Sequence, residues 1–136
     1  MPKEKQLDLA KYRIQNAKEK LEAAELLITG GKYKDAVNRT YYAIFSAMRA
    51  VLALEGDGVD FKKHSGVISH FRKTYIKAGT FPVECSYMID EAAVIRTKSD
   101  YNDFFIVNRK EAEYQYANAC NFFEQIEKYV NSQLQV

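Results

Sequence analysis

A chain of 136 residues with 47% hydrophobic and 28% charged side chains has the size of one domain and is too apolar, with too little charge imbalance, to be a disordered segment. Its net charge of +2 excludes a strong global field that would draw it onto a polyanion, so any nucleic acid must be held by a local patch. Cys85 and Cys120 sit among apolar neighbours, lack the spacing of a zinc site and read as reduced core residues.

In chain order, Ala10, Ile14, Ala17, Leu21, Ala24 and Ile28 recur at steps of four and three, which predicts a helix over 7–29 with one buried face. Gly30-Gly31 supplies its left-handed end. The spacing predicts a second helix over 33–55, apolar nearly all round between Tyr41 and Leu54 and therefore central. That tract is too short to cross a bilayer and contains Arg49. With no apolar leader at the N-terminus, the expectation is a cytoplasmic protein without a membrane partner.

Gly56-Asp57-Gly58 interrupts the pattern, and a third helix is predicted from about Lys63, with Val67, Ile68, Phe71 and Tyr75 inward and Gly79 and Pro82 closing it. A fourth is predicted over 83–98, carrying Met88, Ala92 and Ile95, followed by an aromatic loop over 99–107. Asn108 with Glu111 three residues on has the form of a helix cap. Beyond it Ala112, Tyr116, Ala119, Phe123, Ile126 and Val130 give a fifth helix with the same long seam as the first. The result is an all-α, up-and-down antiparallel bundle of four or five helices in a single domain over 1–136.

Several chemistries are absent. Gly30-Gly31-Lys32 is no phosphate loop, Gly56 and Gly58 do not follow a strand, and there is no serine elbow and no cluster of metal carboxylates. Two histidines without nearby Cys or acidic clusters give no metal site, and no cofactor is expected.

Three segments stand out: Asn38-Arg39-Thr40-Tyr41-Tyr42-Ala43-Ile44-Phe45, Lys62-Lys63-His64-Ser65-Gly66-Val67-Ile68 and Arg96-Thr97-Lys98-Ser99-Asp100-Tyr101. In this order and spacing they resemble the HEPN superfamily of prokaryotic helical domains, over nearly the whole chain. The resemblance implies a bundle that forms a homodimer, often paired as toxin and antitoxin with a minimal nucleotidyltransferase of the MNT type. Many members are metal-independent endoribonucleases. Their usual motif is an Arg followed a few residues later by His, and here the matching positions are Arg96 and Tyr101, an Arg-x4-Tyr. A phenol with a pKa near ~10 is a poor base at neutral pH. The resemblance also implies that Tyr101 is a candidate acceptor of AMP from the partner enzyme. The alternative to an RNA-binding or RNA-cleaving toxin is therefore a non-catalytic helical partner, or substrate-binding module, of the nucleotidyltransferase.

Each candidate has a plain structural reading beside the functional one. Arg96 either faces a phosphate with its five directed donors or balances the dipole at a helix end. Asp100 either orients Arg96 or makes a local turn. Tyr101, Phe104 and Phe105 either stack on unpaired bases or close the end of the bundle. Lys62, Lys63, Arg72, Lys73 and Lys77 fall in a stretch without a carboxylate and form either an RNA-guiding patch or a solvated face. Asn38, Arg39 and Tyr42, extended by Ser46 and Arg49, either bond across to the Arg96 loop and shape a site or form a buried polar network that fixes packing. His64 either serves as a base in place of Tyr101 or bonds local backbone, and His70 has the same two readings.

Overall fold

The computed structural model describes residues 2–56, 61 and 63–134. Among these, five α-helices follow one another: α1 Glu4–Thr29, α2 Tyr33–Ala53, α3 His64–Phe71, α4 Glu84–Tyr101 and α5 Arg109–Leu134, with a π-helical turn over Arg72–Ile76 prolonging α3. The described residues contain no strand, so the chain is an all-α bundle.

The stripe that predicts α1 is its buried face: Ala10, Ala17, Leu21, Ala24 and Ile28. Small side chains let two helices approach closely, and α1 sets its buried alanines against an α2 whose own Ala36, Ala43, Ala47 and Ala50 are buried. Gly31, at φ 77°, reverses the chain between them. The Lys32 amide reaches back to the Leu27 carbonyl at 2.8 Å and the Gly31 amide to Ile28 at 3.0 Å, satisfying carbonyls that the helix end leaves open.

α2 packs against α1, α3, α4 and α5, which is why a helix apolar on all but one edge is stable there. Complete burial of Ile44, Met48 and Val51 contributes roughly 1.5–3 kcal/mol each. The main core gathers around Phe71, which stacks on Phe81 at 5.5 Å and lies 5.9 Å from Phe122 of α5. A smaller core of Ile28, Ala36, Val37, Val107 and Ala112, with Ile95 against it, lies where α1 and α4 end and α2 and α5 begin. The four long helices therefore alternate in direction.

Three boundaries differ from the expectation or sharpen it. The predicted loop over 99–107 begins later, because α4 runs on through Ser99 and Asp100 to Tyr101 before Asn102 turns extended. Ser99 is buried, and an Arg96–Asp100 pair spans the last turn, so tertiary packing and an i,i+4 ion pair extend a helix that local sequence leaves undecided. The third helix relaxes into the π turn, where the Lys77 amide bonds the Arg72 carbonyl five residues back at 2.8 Å. Asn108 caps α5 by accepting the Glu111 amide on Oδ1 at 2.8 Å.

Candidate functional site

On α2 the residues Arg39, Tyr42, Ser46 and Arg49 lie at steps of three and four and form one polar edge on an otherwise apolar helix. α4 delivers Arg96 to that edge. Its guanidinium lies 5.2 Å from the Tyr41 ring centre and 5.3 Å from that of Tyr42, two rings that meet edge to face at 5.2 Å. Nη2 donates to the Tyr42 hydroxyl at 3.0 Å. Nε lies 3.0 Å from Asp100 Oδ2 without forming an aligned hydrogen bond, so that contact is chiefly electrostatic. A guanidinium has five N–H donors, and these two contacts leave Nη1 and one Nη2 hydrogen for a ligand. With 23% of the Arg96 side chain and 31% of Asp100 exposed, the pair sits at the protein surface rather than sealed within it.

His64 opens α3 against the same rings. Its Nδ1 is 3.2 Å from the Tyr41 hydroxyl, its ring lies 4.0 Å from that of Phe45, and it meets Tyr42 edge-on at 5.8 Å. Burial, followed by the positive charges of Arg96 and Arg49, pushes the imidazole below its ordinary pKa, so it is neutral at pH 7. Burial pushes the Tyr41 phenol up, against the pull of Arg96, and keeps it protonated. Gly66 permits the approach of Phe61, whose side chain would lie 3.1 Å from an added Cβ.

Tyr42 and His64 border a cleft of about 440 Å³, lined also by Asn16 and Lys20 of α1, Phe45, Ser46 and Arg49 of α2, and Phe61. That volume falls within the roughly 300–1,000 Å³ of ligand-sized clefts. Its described lining residues include cations, amides and hydroxyls but no carboxylate. Lys20 is half-buried, and its amine donates to Asn16 Oδ1 at 2.6 Å. Burial and then the charge of Arg39 lower its pKa, with Glu19 acting in the opposite direction. Among the described residues no three His, Cys, Asp or Glu side chains converge as metal ligands.

Tyr101 is 79% exposed; five positions beyond Arg96 it lies about 140° around α4, whereas Asp100 is about 40° away. Arg96 and Tyr101 thus do not converge within one chain, and the imidazole beside the tyrosine pair is His64. Phe104 is exposed as well, while Phe105 packs into the smaller core with Lys98 Nζ 5.9 Å from its ring centre. Arg72 is held by Asp90 and by the Ser86 carbonyl. Together with Lys73, Lys77, Ser65 and Ser69 it lines a second, shallower cleft along α3. Lys63 is exposed beside His64, Asn38 is half-buried on α2, and Arg39 is exposed. Lys62 lies outside the described residues. His70 lies within 3.0 Å of both carboxylate oxygens of Glu55, which also accepts from Tyr75 at 2.6 Å, so it ties α3 to the end of α2.

The contribution of α1 does not emerge from the sequence reading. Arg13, Asn16 and Lys20 follow each other at steps of three and four along the margin of the buried stripe, a spacing that marks a shared edge but not what the edge faces. Arg13 donates to the Arg49 carbonyl at 3.0 Å and fixes that edge against α2.

The chain is similar to known proteins over most of its length. A candidate toxin of Methanocaldococcus jannaschii is 35% identical over 88% of this chain and 80% of its own length. A UPF0332 protein of Thermotoga maritima is 30% identical over 90% of this chain and 91% of its own. A second candidate toxin of M. jannaschii is 36% identical over 65% of this chain and 64% of its own. The family profile described as HEPN domain matches residues 10–129, a span that takes in the tyrosine pair, His64 and Arg96, and the chain belongs to the HEPN domain family.

Proposed function

We propose that this protein is the toxin-like member of a toxin–antitoxin pair and that it acts on RNA, cutting it without a metal at the Arg96–His64 cluster. The toxin naming of two relatives supports the first part. One observation carries the second: a guanidinium with donors to spare and an imidazole of lowered proton affinity share the Tyr41–Tyr42 pair, and Tyr42 and His64 line a cleft whose described lining has no carboxylate.

The chemistry follows from these groups. A bound phosphodiester exchanges the partial pairing of Arg96 with Asp100 for bidentate bonds to its non-bridging oxygens. The ribose 2′-hydroxyl attacks the neighbouring phosphorus as its proton passes to His64. The base-competent tautomer is the one whose Nδ1–H donates to the Tyr41 oxygen, leaving the Nε2 lone pair open. The 2′-O–P bond forms and the P–O5′ bond breaks. The proton taken by His64 returns to the departing 5′-oxygen, and the products are a 2′,3′-cyclic phosphate and a 5′-hydroxyl. Arg96 matters most when charge on the phosphoryl oxygens peaks.

Incubation of labelled RNA in EDTA with wild type, Arg96→Ala and His64→Ala tests this. Wild type is expected to cleave, and each variant to lose on the order of 100-fold or more. Equal cleavage by wild type and Arg96→Ala, or none by wild type, rejects catalysis here.

A second reading is favoured by the exposure of Tyr101. As a non-catalytic partner of a minimal nucleotidyltransferase, the protein would present the Tyr101 phenol to ATP; the phenolic oxygen bonds the α-phosphorus, its proton is lost and pyrophosphate leaves. Co-purification with the enzyme and mass spectrometry would detect an AMP adduct that Tyr101→Phe abolishes.

A further inference from the structure

We infer that the α1 wall of the cleft, Lys20 with Asn16 and with Arg39 alongside, is a second phosphate subsite, which takes the phosphate next to the one held by Arg96. The inference rests on the RNA reading above and specifies what the site must bind: a strand with two consecutive phosphates rather than a single phosphodiester.

Two features of the geometry carry it. Lys20 and Asn16 of α1 line the same cleft as Tyr42 and His64, and Tyr42 is the residue to which Arg96 donates. The cleft thus contains both Lys20 and the tyrosine that holds Arg96, so a strand seated at Arg96 has a path along it toward Lys20. In addition, the Lys20 amine lies within the electrostatic reach of the Arg39 guanidinium while its own hydrogen-bond partner is the neutral Asn16 amide. Holding a half-buried ammonium near a second cation costs stability when the site is empty, and an anion bound between them removes that cost. Burial is the larger cause of the downward pull on the pKa of Lys20; the charge of Arg39 adds to it and Glu19 opposes it.

The test uses the whole protein and a 2′-O-methyl RNA oligonucleotide, which cannot be cleaved. Fluorescence anisotropy is measured against salt for wild type, Lys20→Gln, Lys20→Arg and Arg96→Ala. Neutral methylphosphonates are then walked along the oligonucleotide. Lys20→Gln is expected to weaken binding roughly 2- to 5-fold, as one partly exposed charge contact supplies, and to flatten the log–log salt slope by about 0.7. Lys20→Arg is expected to keep the wild-type slope. The methylphosphonate walk should show wild type losing affinity at two neighbouring positions, with Lys20→Gln indifferent at one and Arg96→Ala at the other. If wild type binds while Lys20→Gln matches it in affinity, slope and positional pattern, the second subsite is overturned and the Arg96 reading stands. If wild type binds no RNA, the RNA reading fails and this inference fails with it. Thermal melts of each variant separate loss of contact from loss of fold.

Discussion

Replacing Tyr42 by Phe deletes one oxygen and keeps the ring, so it isolates the hydrogen bond that Arg96 Nη2 donates at 3.0 Å from the cation–ring contact at 5.3 Å. A hydrogen bond from a charged donor contributes roughly 1.5–3 kcal/mol. Because the Arg96 side chain is 23% exposed, water replaces part of what is lost, and the expected cost is about 1 kcal/mol, or roughly 3–5 °C in Tm for a domain of this size. Arg96→Met removes that bond together with its contacts to both rings, each contributing about 0.5–1 kcal/mol, and should cost about 2 kcal/mol. The two sites touch, so the double variant should be less destabilised than the sum by about 1 kcal/mol. Urea denaturation of the four proteins measures the cycle. Additivity within about 0.3 kcal/mol would show that phenol and guanidinium are not coupled in solution, and the proposed orientation of Arg96 would fall.

Further expectations follow from burial, backbone and charge. The lowered pKa of His64 means that the unfolded chain binds more protons than the folded one between the folded value and about 6.5. Stability should therefore fall as pH drops through that window and level off below it. The acid limb of the cleavage profile should likewise lie under pH ~6.5; a limb above it would remove His64 as the base. Gly31→Ala places a Cβ at φ 77° with nothing within 4 Å to clash, so only backbone strain of about 1–2 kcal/mol is expected, visible as a lower urea midpoint with unchanged RNA affinity. Tyr101→Phe, at a side chain 79% exposed, should change stability by less than about 0.5 kcal/mol. A larger loss by thermal melting would show that Tyr101 packs against something in solution.

The helices were legible because each long one buries a stripe, and a stripe is a property of spacing. Gly31 and Asn108 marked ends for equally local reasons, a left-handed φ and a side-chain cap. The end of α4 was hidden, since Ser99 and Asp100 are turn formers in isolation and become helical through burial of the first and the reach of Arg96 to the second. The site was legible one helix at a time: the α2 edge, His64 and Arg96 could each be singled out, and the family motif placed Arg96 beside Tyr101. That the α2 edge bonds across to the Arg96 segment is one of two readings the sequence leaves open, because the Tyr42–Arg96 bond joins residues 54 apart and depends on how α4 lies across α2. Lys20 could not be singled out, because its polar neighbours on α1 look like any solvated flank until α2 is set against them.

The cluster draws on distant parts of the chain: Lys20 and Asn16 from α1, the tyrosines from α2, His64 from α3 and Arg96 from α4. Asn16 and Lys20 meet the α2 residues of the cleft across one turn at Gly31, whereas Arg96 must be brought back to Tyr42 over 54 residues. Closing a longer stretch of chain costs more entropy, so the Arg96 contact is the part of the cluster that depends most on the whole bundle being assembled.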